Sequence, residues 1–194
     1  MGRDKALLKL AGKPLIARAE AKLRRLCADV HILSANPALA AYAPLVPDLH
    51  PGCGPIGGVE AALAHSGFEW NLILPADVPY LPAVFLDAWV RSILAEEPGG
   101  VRIAHFTLDG VPQPTVLLIH RDSTPLISRA IGRGNFKLIS VLEAVGRELA
   151  TLVGRSPEDV FRNSALEAPP IWFANLNTPE DFKQAESNIA ALET

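Results

Sequence analysis

Asp77 stands directly after an apolar run, Trp70-Asn71-Leu72-Ile73-Leu74-Pro75-Ala76, and Pro75, Pro79 and Pro82 crowd the turn around it. A carboxylate fixed at the carboxyl end of a buried strand lies where open α/β sheets bind their ligands. Proline at 79 also pushes Val78 towards extended geometry, which stiffens that turn. Such a group suits Mg²⁺, which takes one or two carboxylates together with phosphate oxygens; a helix cap is the plainer role for the same residue. Lys5, with Asp4 beside it in the glycine-and-charge segment Gly2-Arg3-Asp4-Lys5, is either a cation for a phosphate or a solvated charge. Asn36, closing an apolar run before Pro37, and Asp48, in the turn-rich Pro47–Pro51 segment, suit turns as well as ligands.

The stretch Gly52-Cys53-Gly54-Pro55-Ile56-Gly57 fits the G-x-G-x-x-G fingerprint, and Asp77 follows Gly57 at the spacing of a ribose-binding acid. That fingerprint requires a full strand immediately before it, whereas Pro47-Asp48-Leu49-His50-Pro51 stands there. Pro55 also removes an N–H from a loop whose use is to present N–H groups. A dinucleotide oxidoreductase is therefore the weaker reading, although a glycine loop opening a helix still suits the polar end of a ligand.

Other chemistries lack support. His31, His50, His65, His105 and His120 show no metal-ligand spacing, and no G-x-S-x-G or Ser/His/Asp pattern occurs. With 18 basic and 21 acidic residues the formal net charge is −3 and the cations are scattered, so there is no electrostatic footprint for nucleic acid. No apolar stretch reaches the ~20 residues of a membrane span. The amino terminus is charged where a signal peptide would be apolar. Cys27 and Cys53 have no CxxC spacing, which points to reduced thiols in a cytoplasmic protein.

Steps of three and four along Leu15, Ile16, Ala19, Leu23, Leu26 and Cys27 predict an amphipathic helix with Pro14 in its first turn and Lys22 on its outer face. Val30–Ala35 reads as a strand, Ala38–Tyr42 as a short helix, Val59–His65 as a helix and Trp70–Ala76 as a buried strand. A helix running to Glu96 follows. Alternation of this kind predicts an α/β fold, with a mostly parallel sheet and helices on both faces.

Val101–Leu108 and Gln113–His120 flank Asp109-Gly110, a hairpin signal that Val111-Pro112 could lengthen. Ser123–Ile131 and Lys137–Val145 read as helices. Gly154–Pro170 carries no clear period and reads as a mobile loop, and Ile171–Ala174 reads as a last strand. Thr178, Pro179 and Asp181 then form a helix-start signature. No repeat or low-complexity linker divides the 194 residues, so a single domain over 1–194 is expected.

Four motifs, MGRDKALLKLAGKPLI, GPIGG, LPADVPYLP and FANLNTPEDF, stand in the order and spacing of the molybdenum cofactor guanylyltransferases. The chain resembles that family over nearly its whole length, Gly154–Pro170 excepted. The resemblance implies a three-layer sheet like that of nucleotide-diphospho-sugar transferases. It also implies transfer of GMP from GTP to the phosphate of a molybdopterin-type substrate, with Mg²⁺ as cofactor and pyrophosphate as leaving group. Carried over residue by residue, Asp77 is the metal ligand and, with Lys5, catalytic. Gly2, Lys5, Asn36, Asp48, Pro55, Gly57, Gly58 and Asp77 are implied to bind nucleotide, and Asn175 and Asn177 to lie on the pterin side.

Ala76 departs from the pattern, since many guanylyl members have cysteine there. The family's nucleotide loop reads roughly L-A-G-G-x-S-x-R-M-G-x-D-K, and this sequence starts at its M-G. The resemblance therefore implies that a first strand and its glycines are missing, and that the sheet would expose unpaired edges, which invite association. A related transferase using CTP or another nucleotide, with a different phosphate acceptor, is the nearest alternative. A non-catalytic nucleotide-binding descendant is another.

Overall fold

The computed structural model describes residues 4–95, 100–149, 152–160 and 168–192. The chain opens with a small hairpin, β1 (Lys9–Leu10) and β2 (Lys13–Pro14), closed by Ala11 and Gly12, both at positive φ (48° and 76°). Helix α1 (Leu15–Leu23) follows and buries Leu15, Ile16 and Ala19. Pro14 is its cap residue and not part of its first turn.

β3 (Ile32–Leu33) pairs in parallel with β4 (Leu45–Val46), a strand hidden in the sequence by its two-residue length. Between them Pro37–Leu39 forms a single 3₁₀ turn. Helix α2 (Pro55–His65) begins four residues earlier than its apolar period suggests. Gly54, at φ 65°, turns the chain, and Pro55 supplies a first helical residue that needs no donor.

β5 (Trp70–Ile73), β6 (Ile103–Leu108), β7 (Val111–His120) and β8 (Leu152–Arg155) form one sheet in the order β5-β7-β6-β8. β7 runs antiparallel to β5 and β6, and β8 runs parallel to β6. β5, β6 and β8 thus share one direction and β7 alone reverses, giving a mixed sheet. The hairpin joining β6 to β7 has two loop residues, Asp109 and Gly110, both at positive φ, and Leu108 pairs directly with Val111. Val111-Pro112 therefore does not lengthen the turn.

Alternate sheet residues face opposite layers. Ile103, Leu117 and Ile119 pack with α2, α4 (Thr124–Gly132) and α5 (Leu138–Leu149). Ala104, Phe106 and Leu118 pack with α3 (Ala83–Ala95), whose Phe85, Leu86, Trp89 and Ile93 are all but fully buried. This is the expected three-layer arrangement.

Three further expectations change. β5 is half-buried at every position and not buried on both faces, since on one edge it meets only a cavity lined by residues 70–76. The Gly154–Pro170 loop contains the end of β8, paired with β6, and a short helix α6 (Pro157–Val160). Residues 161–167 of that expectation lie outside the described residues. Ile171–Ala174 is not a strand: Pro170–Phe173 forms a 3₁₀ turn started by Pro169-Pro170. It sends Phe173 against Phe85 and Phe106, with ring centroids 6.1 and 5.1 Å apart. A short apolar run cannot be told from a strand by period alone. The last helix, α7 (Pro179–Ser187), has the anticipated capping box between Thr178 and Asp181.

Candidate active site

Lys5 opens a 3₁₀ turn, Lys5–Leu7, capped by Asp4, whose Oδ1 accepts from the Ala6 amide at 3.0 Å. The other Asp4 oxygen accepts from Asn36 Nδ2 at 2.7 Å. Asn36 in turn caps Pro37–Leu39, its Oδ1 accepting from the Ala38 amide at 3.0 Å. Both its side-chain groups are thereby engaged, and the residue that follows β3 also fastens the first turn of the chain.

Asp77 lies beyond the carboxyl end of β5, six residues ahead of α3, so it does not cap that helix. Its Oδ2 receives Lys5 Nζ at 2.7 Å, with both side chains about one-third exposed (34% and 28%). Lys5 Nζ donates a second bond to Asn177 Oδ1 at 2.5 Å. The Asp77 carbonyl accepts from the Leu176 amide at 3.0 Å, which ties the two loops along their backbones as well. The result is a cation held between a carboxylate and an amide oxygen, drawn from positions 5, 77 and 177.

Two residues with no part in the site on sequence grounds, Lys22 and Asp181, hold these loops. Lys22, on α1, donates to the carbonyls of Pro79 and, at 3.4 Å, Val78. It was expected on the outer face; burial, and next the Arg18 charge, lower its pKa to about 7. A lysine on a helix's polar side carries no signal of this in sequence. Asp181 accepts from the Asn177 and Thr178 amides, each at 2.7 Å, and those amides hold its carboxyl below the usual range. The capping box therefore also anchors the residue that meets Lys5.

The Asp48 carboxylate lies over the first turn of α2. Added Cβ atoms at Gly57 and Gly58 would come within 3.5 and 3.9 Å of its oxygens. A Cβ at Gly57 would also stand 3.2 Å from Cys53 Cβ, so that turn is closely packed. Pro55 and Gly58 line a cavity of about 750 Å³ shared with Asp4, Ser34, Asp48 and Ala76.

Of the residues singled out in the sequence, Lys5, Asp77 and Asn177 meet directly. Asn36 reaches the same place through Asp4. Asp48 forms a second group with Gly57 and Gly58. Asn175 does not join either group: it lines a separate cavity of about 350 Å³ with Tyr80, Asp181 and Gln184. Gly2 lies outside the described residues.

The pattern described as the MobA-like NTP transferase domain matches residues 1–149. The chain belongs to the MobA-like NTP transferase family. It is 33% identical to the molybdenum cofactor guanylyltransferase of Serratia proteamaculans (strain 568) over 187 residues, 93% of this chain and 84% of that one. It is 31% identical to the protein of the same description from Vibrio atlanticus (strain LGP32), covering 94% and 87%. Among solved structures it resembles the molybdopterin-guanine dinucleotide biosynthesis protein A of Archaeoglobus fulgidus, with a TM-score of 0.76, 25% identity, and 97% and 92% of the two chains covered. The 2-C-methyl-D-erythritol 4-phosphate cytidylyltransferase of Thermus thermophilus, 16% identical with a TM-score of 0.65 over 96% and 94%, shares the fold. MobA-like transferases are nucleotidyltransferases, and the Lys5–Asp77–Asn177 group sits at the sheet edge where α/β folds take their ligands.

Proposed function

We propose that this protein transfers GMP from GTP to the terminal phosphate of a molybdopterin-type acceptor, releasing pyrophosphate. One observation carries the reading at the level of residues: Lys5 Nζ donates to both Asp77 and Asn177, at 2.7 and 2.5 Å, beyond the carboxyl edge of β5. The guanylyltransferase descriptions of the relatives support the choice of base and acceptor.

Both reactants are anions. At ~4 Å and an effective dielectric of ~20, each pair of unit charges repels by about 4 kcal/mol, so charge neutralisation is the main task. The donors fit a hard cation. Asp77 presents a part-exposed carboxylate beside an amide oxygen, and Mg²⁺ favours oxygen ligands and accepts phosphate oxygens and water for the rest. Among the described residues no three acidic, histidine or cysteine side chains gather, so the protein would hold such an ion chiefly through Asp77. When bound, Mg²⁺ neutralises oxygens whose charge grows during phosphoryl transfer.

Lys5 binds the departing pyrophosphate as a compact point charge, leaving Asp77 as it turns to phosphate. Asn177 and Asp4 limit where that side chain and its loop can go. Asp48, Gly57 and Gly58, with Pro55, form the guanosine side of the cleft, and Asn36 fixes the loop between the two. Asn175 and its cavity lie towards the pterin acceptor. No nucleophilic side chain is required, because the acceptor phosphate itself attacks the α-phosphorus. A single domain over residues 1–194 and a cytoplasmic setting, in keeping with the free thiols of Cys27 and Cys53, complete the proposal.

The test is pyrophosphate release with molybdopterin and each of GTP, CTP, ATP and UTP, for wild type and Asp77→Ala. GTP-dependent release, lost at least ~100-fold in Asp77→Ala at unchanged circular dichroism, is the expected result. Equal turnover with CTP would replace the guanylyl reading with the cytidylyl one, and normal turnover by Asp77→Ala would remove the metal role.

A further inference from the structure

Thirty-four positions separate His31 from His65, so no sequence spacing announces the pair, yet their Nε2 atoms stand 3.3 Å apart. The ring centroids are 4.6 Å apart, with the planes at 68° to one another. The nitrogens are closer than the ring centres, so the two Nε2 edges converge. As a hydrogen bond the contact is long, and it can engage the proton of one imidazole only. As one edge of a coordination tetrahedron it has the right length. Two Zn–N bonds of about 2.05 Å at a tetrahedral angle hold their nitrogens about 3.3 Å apart.

Both side chains stand on elements that are already fixed. His65 is the last residue of α2, whose end is closed by the Ser66 amide donating to Ala62 O at 2.9 Å. His31 directly precedes β3, whose first residue, Ile32, donates its N–H to Pro44 O at 2.9 Å. Little ordering is left to oppose binding. The Asp29 carboxylate lies 3.5 Å from His31 Nδ1. A proton kept on Nδ1 by that carboxylate leaves Nε2 with its lone pair, which is how outer carboxylates orient metal-bound histidines. A cation at this place also meets the negative end of the α2 dipole. The His31 side chain is 22% exposed and His65 is exposed, so an ion has an entry path.

We propose that His31 and His65 form a site for one first-row transition dication of the zinc class, held through both Nε2 atoms. Among the described residues no group of three acidic, histidine or cysteine side chains gathers, so water takes the other positions. Imidazole nitrogens select such ions over Mg²⁺, which takes oxygen ligands. The site uses none of Lys5, Asp77 and Asn177 and is independent of the transferase reading. Its effect is structural: the ion ties the end of α2 to the start of β3, and it stabilises the folded chain because only folding brings the pair together.

The experiment titrates chelator-treated protein with zinc chloride in excess Mg²⁺, without nucleotide, by calorimetry, and measures the urea midpoint with and without zinc. Wild type is expected to bind one Zn²⁺ per chain and to gain a higher midpoint. His31→Asn and His65→Asn should each bind at least ~10-fold more weakly and lose that gain, with zinc-free midpoints near wild type. Asp29→Asn should weaken binding about 10- to 100-fold, while Asp77→Ala binds zinc as wild type does. A further readout needs no variant: in wild type, zinc should protect His31 and His65 from carbethoxylation by diethyl pyrocarbonate and leave the exposed His50 reactive. Unchanged affinity in both histidine variants, loss of binding in Asp77→Ala instead, or no zinc-dependent rise in the wild-type midpoint would overturn the proposal. So would zinc binding that appears only as the chain dimerises, which would make the pair half of a site shared between two copies.

Discussion

At the residue scale, the chemistry turns on which partner each charged atom has. Lys5 satisfies Asp77 and Asn177 together, so its charge is partnered by one carboxylate and one amide oxygen. A point charge of this kind contributes to catalysis when aimed at developing charge, typically about 100- to 1,000-fold per donor. Lys5→Met, which keeps the stem but removes the charge, is expected to lower kcat/KM for pyrophosphate release by about that factor. A loss smaller than about threefold would show that Lys5 only props Asp77. Lys5, Asp77 and Asn177 stand out in the sequence through loops and motifs, but Asn36 does not declare its partner. Its amide meets Asp4, thirty-two positions away in the chain, and no local pattern encodes that contact.

At the element scale, α1 does more than cover the sheet. Lys22 reaches from it to the carbonyls of Val78 and Pro79, the turn that carries Asp77. Its pKa near 7 in the folded chain lies below its ordinary value of 10.5. Between those two values the unfolded chain binds more protons than the folded one, so this residue makes stability rise as pH increases from about 7 towards 10.5; below 7 both states hold the proton and the slope vanishes. Lys22→Met should flatten that part of the curve, measured by urea unfolding at intervals between about pH 6.5 and 9.5. An identical slope in the variant would refute the burial of the charge.

Helix positions were legible from periodicity in α1, α3, α4 and α5. The start of α2 was hidden because Gly54 and Pro55, not its apolar residues, decide it. The 3₁₀ turn at Pro170–Phe173 reads as a strand in sequence for a related reason. Its run of apolar residues serves a cluster of aromatic rings, not a neighbouring strand.

At the scale of the whole molecule, close approaches between distant elements set the sheet's far edge. A Cβ on Gly146 of α5 would lie 2.3 Å from Leu152 Cβ, so only a glycine lets that helix settle on β8. Gly146→Ala should destabilise the fold by about 1–3 kcal/mol through overpacking, seen as a lower urea midpoint with unchanged slope. A midpoint at or above wild type would mean that β8 moves freely to accommodate it. At the opposite side, β3–β4 and β5–β7–β6–β8 remain separate sheets that share a wall of the same cavity.

The sequence by itself determined the class of fold, the hairpin at Asp109-Gly110, the capping box at Thr178 and the carboxylate beyond the end of β5, though not that β5 is half-buried throughout. Each of these depends on interactions within a few residues, where period, turn chemistry and steric preference act directly. Only the tertiary structure decided that Lys5 lies against both Asp77 and Asn177, that Asn175 does not, that Lys22 reaches the carbonyls of the turn carrying Asp77, and that the two sheets stand apart. Those facts depend on how helices and strands tens of residues apart pack in three dimensions. Side-chain identity alone cannot specify such distances.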